Sequence, residues 1–228
     1  MKKATLGLAV ISAAALSAPV TAATLYSDAM DNGASWTTLA SSADTLATFG
    51  YDYSADGIPE APNSVGGAAT SGVKLQANIV DPAAAEHMTL VPNGQNFSGT
   101  YQLRFDAWMN YSTDDFYNNG QAGTTEFMGG GIGHDNASTD IGSGVQAIST
   151  GDGGSGSDWR IFEDGAFLGT ADMVAGTRNG FDPHYSDFLP AVTPPAAQSQ
   201  AAGDSVAGSP AFQWITWQIT AHGNGNVL

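Results

Sequence analysis

The chain contains no cysteine, so no disulfide can hold it, and the stapled scaffolds of small secreted proteins are excluded. Positive charge is scarce: six Lys and Arg stand against 22 Asp and Glu, a formal net charge of −16. Such a charge repels phosphate backbones and anionic lipid surfaces, so neither nucleic acid nor membrane headgroups are expected partners. Glutamate is limited to Glu60, Glu86, Glu126 and Glu163, and none has an acidic neighbour two or four positions away on a convincing strand. The four histidines (His87, His134, His184, His222) are scattered, with no pair at zinc-ligand spacing. Long apolar runs are missing too. The longest, Leu6–Val20, is about 15 residues, whereas a bilayer-spanning helix needs ~20.

That apolar run belongs to a recognisable leader. Lys2 and Lys3 give a short positive start, and Val20-Thr21-Ala22-Ala23 supplies the small residues a signal peptidase reads. Residues 1–23 are therefore expected to be a secretory signal peptide, with a secreted or cell-surface destination and no membrane insertion after cleavage. The remaining 24–228 suit a single all-β domain, since sandwiches often run to such lengths undivided. Without the leader, its basic residues are Lys74, Arg104, Arg160 and Arg178.

Alternation is the clearest structural signal. Tyr101, Leu103, Phe105, Ala107 and Met109 alternate with Gln102, Arg104, Asp106, Trp108 and Asn110. A period of two over nine residues makes a strand with one apolar face. Val73–Ile79 and the segment carrying Ile215, Trp217 and Ile219 read the same way. Further strands are expected over Thr24–Ser27, Thr48–Tyr53, His87–Val91, Thr124–Gly133, Val145–Ser149 and Trp159–Glu163. Turn formers lie between them: Asp56-Gly57, Asn93-Gly94, Asn119-Gly120, Asp164-Gly165 and Asn179-Gly180. One helical turn is expected over Asp81–Glu86, with Pro82 near its start. A flexible Ala/Pro/Ser/Gln-rich loop is expected at 190–210. The pattern predicts an antiparallel two-sheet β-sandwich. The last strand runs into the turn-like His222-Gly223-Asn224-Gly225-Asn226, which calls for a returning partner. The sandwich is accordingly expected to lack its last strand or strands.

Four segments occur in a telling order: DGIPEAPNS (56–64), GQNFSGTYQLRFDAWMN (94–110), TTEFMGGGIG (124–133) and GDGGSGSDWRIFEDG (151–165). Together they resemble exported bacterial proteins of the PEP-CTERM type that carry a concanavalin A-like, LamG-like domain. The resemblance implies a jelly roll of two curved sheets, export, and association with the cell surface or an extracellular polysaccharide matrix. It implies no activity. The Pro-Glu-Pro sorting signal of such proteins, with its apolar segment and basic end, is not among these residues.

Glycoside cleavage needs two facing carboxyl groups, and here a pair would have to come from separate strands, such as Asp106 with Glu126. That makes a polysaccharide-cleaving hydrolase or lyase the alternative reading. Gly142-Ser143-Gly144 lacks the spacing of a nucleophile elbow. Oxygen-rich loops suit calcium, and Asp152 with Asp158 are the candidate ligands, beside Asp114-Asp115 with Asn118-Asn119 and Asp135-Asn136 with Asp140. Trp108, Trp159 and Arg160 are the candidate carbohydrate-binding residues, because an indole can lie on a sugar ring while a guanidinium binds its hydroxyls. The expected role is a non-catalytic carbohydrate-binding or matrix-adhesion module. A third reading is a structural surface or biofilm protein with no small ligand.

Overall fold

A computed structural model of the chain describes residues 23–64, 70–81, 85–110, 126–140, 142–151, 153, 156–197 and 204–223. Ten strands occur among them: β1 (Trp36–Ala40), β2 (Thr45–Asp52), β3 (Ser71–Ala77), β4 (Met88–Pro92), β5 (Tyr101–Trp108), β6 (Phe127–Ile132), β7 (Val145–Thr150), β8 (Trp159–Glu163), β9 (Ala166–Phe167) and β10 (Trp214–Ala221). All the ladders between these strands are antiparallel: β1 with β4, β2 with β3, β5 with β10, and a meander β6-β7-β8-β9. The described chain is thus all-β with antiparallel sheets, as the alternation predicts.

The β5–β10 pair shows how the pattern becomes packing. Its register runs from Trp108↔Trp214 to Tyr101↔Ala221, so each position of one strand shares a face with its opposite number. Leu103, Phe105, Ala107, Ile215, Trp217 and Ile219 therefore lie on one face. Gln102, Arg104, Asp106, Thr216, Gln218 and Thr220 lie on the other. On the apolar face the Phe105 and Trp217 rings are nearly parallel, with centroids 6.2 Å apart. The meander lies against this face. An added Cβ at Gly130 would sit 2.7 Å from Phe105 Cζ, so the β6 backbone rests on that ring and a side chain there would have to push it aside. From β8, Trp159 meets Trp217 at 5.9 Å.

The approach to β10 is buried as well. Ala211 and Phe212 form a small core with Trp108 and Val192 packed on it. A parallel bridge joins Met109 to Ala211, and Phe212 N–H donates to Met109 O at 2.9 Å. Of the loop expected at 190–210, residues 198–203 lie outside the described residues. The flanking limbs are bonded to each other: Val192 N–H donates to Ser205 Oγ, Ser205 N–H to Val192 O, and Gly208 N–H to Leu189 O. Ser205, Ser209 and Pro210 are buried. Gly208 has φ +88°, and an added Cβ would lie 1.8 Å from Gly180 O, so the two segments touch backbone to backbone.

Several expectations shift. Thr24–Ser27 is irregular, whereas β1 and the two-residue β9 form strands not foreseen. Asp164-Gly165 makes the tight β8–β9 hairpin, with φ +46° and +76° and the closing pair Glu163↔Ala166. The helix expected over Asp81–Glu86 has residues 82–84 outside the described set, and its described flanks are irregular. A helical turn does form at Pro183–Ser186. Asp182 caps it by accepting from His184 N–H, and Pro183 takes the first position.

Candidate functional site: an arginine–phenylalanine face

The meander has two faces. Met128, Gly130, Ala147, Ser149, Trp159 and Ile161 share the inner one. Phe127, Ile148, Thr150, Arg160, Phe162 and Phe167 share the outer one, as the register requires. On that outer face the Arg160 guanidinium lies 4.3 Å above the Phe127 ring and 5.9 Å from Phe167. Arg178 stands over Phe167 at 3.8 Å. Phe162 stacks on Phe167 with centroids 5.0 Å apart and an interplanar angle of 19°. The result is an alternating row of rings and guanidinium planes, Phe127–Arg160–Phe167–Arg178. Phe127 is 39% exposed and Phe167 45%, so part of each side chain reaches solvent. Cation–π contacts fix the two cations. Arg160 is also anchored by its Nε–H, which donates to Ser157 O at 2.7 Å.

Asp158 closes one end of this face. Only 1% of it is exposed. Its carboxylate accepts from Thr150 Oγ1 at 3.1 Å and from Gly180 N–H at 2.8 Å, and its carbonyl accepts from Thr150 N–H. Trp159 N–H donates to Arg178 O at 3.0 Å, which lays the 178–180 segment along β8 and places Arg178 beside Phe167. Asp158, expected as a calcium ligand, thus holds β7, β8 and this segment together. Its expected companion Asp152 lies outside the described residues. So do Asp114, Asp115, Asn118 and Asn119. Among the described residues no cluster of three or more acidic or His side chains is placed to hold a metal. Asp135, from a third expected loop, accepts from Ser138 Oγ and from the N–H groups of Ser138 and Ala137. Those bonds, led by Ser138 Oγ, lower its pKa to about 2.

The remaining candidates are distributed differently. Trp159 points inward, stacked on Tyr185 at 5.0 Å and 4°, and its Nε1–H donates to Gly208 O. Its ring serves packing between the layers, while its neighbour Arg160 faces outward. Trp108 lies on the far side of β5, edge-on to Trp214 at 5.7 Å, with its Nε1–H donating to Asn110 Oδ1. The structure therefore does not unite Trp108 with Arg160. Asp106, on the same face as Trp108, accepts from Asn63 N–H, Asn63 Nδ2 and Thr216 Oγ1, pinning the 59–63 segment over the sheet. Both of its oxygens are engaged there. Arg178, Phe127 and Phe167 escaped sequence reasoning. Their one legible signal is that Arg160 and Arg178 are half of the basic residues beyond the leader.

No protein-family model matches the chain, no curated protein matches it, and no solved structure matches it.

Proposed function

We propose that this chain is an exported, non-catalytic carbohydrate-binding or matrix-adhesion module of the PEP-CTERM type, with a LamG-like sandwich. It acts at the cell surface or in an extracellular polysaccharide. The leader-like start, the acidic cysteine-free composition and the antiparallel β architecture support export and fold. The row Phe127–Arg160–Phe167–Arg178 supports binding and carries the reading. A phenyl ring offers an apolar face to the C–H side of a sugar ring, and a guanidinium held beside it donates to hydroxyl oxygens. Strands position Phe127, Arg160 and Phe167, so little ordering entropy is lost on contact.

A glycan array probed with the mature chain, with and without a calcium chelator, tests this. Retention on at least one glycan class is expected, weakened at least tenfold by Phe167→Ala together with Arg160→Ala. Loss of retention under chelation would assign calcium a part in ordering the Asp152–Asp158 loop. No glycan retained under either condition would refute the reading in favour of a purely structural surface protein. Release of shortened products would favour the hydrolase or lyase.

A further inference from the structure

Among the described cations, Arg178 is the one with a buried nitrogen left without a partner. Its Nε is buried and has no hydrogen-bond partner among the described residues. Its guanidinium nevertheless lies 3.8 Å above Phe167, and 22 acidic side chains are available in the sequence. Lys74, by contrast, has Asp56 at 3.6 Å. A partly desolvated cation with no carboxylate against it among the described residues is a costly arrangement. The Phe167 ring offsets some of the cost and fixes the guanidinium plane. With Nε buried, the two Nη groups are the donors that can meet a ligand, and held in one plane their end-on pair matches a carboxylate.

We propose that Arg178 binds the carboxylate of an acidic sugar, so that the ligand is a glycan in which isolated uronates alternate with neutral residues. This rests on the carbohydrate-binding reading above and narrows its ligand class. The neutral neighbours lie against the solvent-facing parts of Phe127 and Phe167 while Arg160 meets their hydroxyls. Charge density decides against heavily sulfated or continuous polyuronate chains. A net charge of −16 repels a dense polyanion along its whole length. A chain with one carboxylate every second sugar meets far less of that repulsion.

The test is titration calorimetry of the mature chain against a hexasaccharide alternating glucuronate and N-acetylglucosamine, and against the same hexasaccharide with its carboxyl groups reduced to alcohols. The acidic form is expected to bind at least tenfold more tightly, the span of one charge-assisted contact. Arg178→Gln should abolish that difference, weakening the acidic form far more than the reduced one, and Arg178→Lys should restore it only in part. Equal binding of the two forms by the unaltered chain would overturn the carboxylate assignment while leaving glycan binding intact. That contrast needs no variant to fold. A preference for the acid that persists in a folded Arg178→Gln protein, or stronger binding to a heparin hexasaccharide, would overturn it as well. If neither form binds and the array is blank, the carbohydrate reading itself falls.

Discussion

Replacing Asp158 by alanine removes the buried carboxylate that joins β7, β8 and the 178–180 segment. Among the described residues two donors lose their acceptor: Thr150 Oγ1 at 3.1 Å and Gly180 N–H at 2.8 Å. A hydrogen bond to an ionised group is worth about 1.5–3 kcal/mol, and an amide left buried without a partner adds to the loss. The expected destabilisation is about 3–5 kcal/mol, a large part of the 5–15 kcal/mol typical of a domain. With a urea slope of ~2 kcal/mol/M, the unfolding midpoint should fall by roughly 1.5–2.5 M without a change in slope. Asp158→Asn is the informative partner. Its amide oxygen still accepts from Gly180, and the Thr150 hydroxyl can turn to accept from its NH2, so about 1–2 kcal/mol should be lost. A midpoint for Asp158→Ala within about 0.3 M of the parent would refute the bracing role. So would an Asn variant as weak as the Ala variant whose parent is stabilised by calcium, because the carboxylate would then be serving a cation.

Two further perturbations probe other parts of the molecule. Gly208→Ala forces a Cβ to within 1.8 Å of Gly180 O at φ +88° and should cost at least about 3 kcal/mol, whereas Gly94→Ala, at φ +67° with open space around it, should cost about 1 kcal/mol. Thermal melts of the pair compare the two directly, and equal melting temperatures would contradict the backbone contact. The Asp135 carboxyl should titrate near 2 by carbon NMR, and Ser138→Ala should move its midpoint up toward the ordinary 3.8. Because the folded pKa is the lower one, its contribution is complete above the ordinary value and disappears as pH falls through about 2.

The residues themselves show where sequence reasoning succeeds. Tyr101–Met109 and Ile215–Ile219 alternate because each strand has one face on the core and one in solvent, and they prove to be each other's partners. β1 escaped because its more sheltered residues are Trp36 and Leu39, three apart, so no period of two develops. Ser205, Ser209 and Pro210 belong to a stretch whose composition reads as loop. Burial there is achieved by hydrogen bonding, with Ser209 Oγ donating to Gly151 O and accepting from Ala211 N–H, and composition carries no trace of such pairings. The candidate face was half legible. Arg160 could be read from its strand, but Arg178 reaches Phe167 only through β9 and the 178–180 segment, a meeting that no local pattern announces.

The central strand pair sets the schedule on which this molecule can assemble. Gln102 and Thr220, which face each other across it, are separated by 118 residues. Until the ribosome has delivered β10, Leu103 and Phe105 have no strand to complete their layer, and closing so long a loop is slow. Synthesis from the N-terminus therefore runs ahead of assembly. Before β10 arrives the local β6–β9 meander can form, but the layer it packs against stays incomplete.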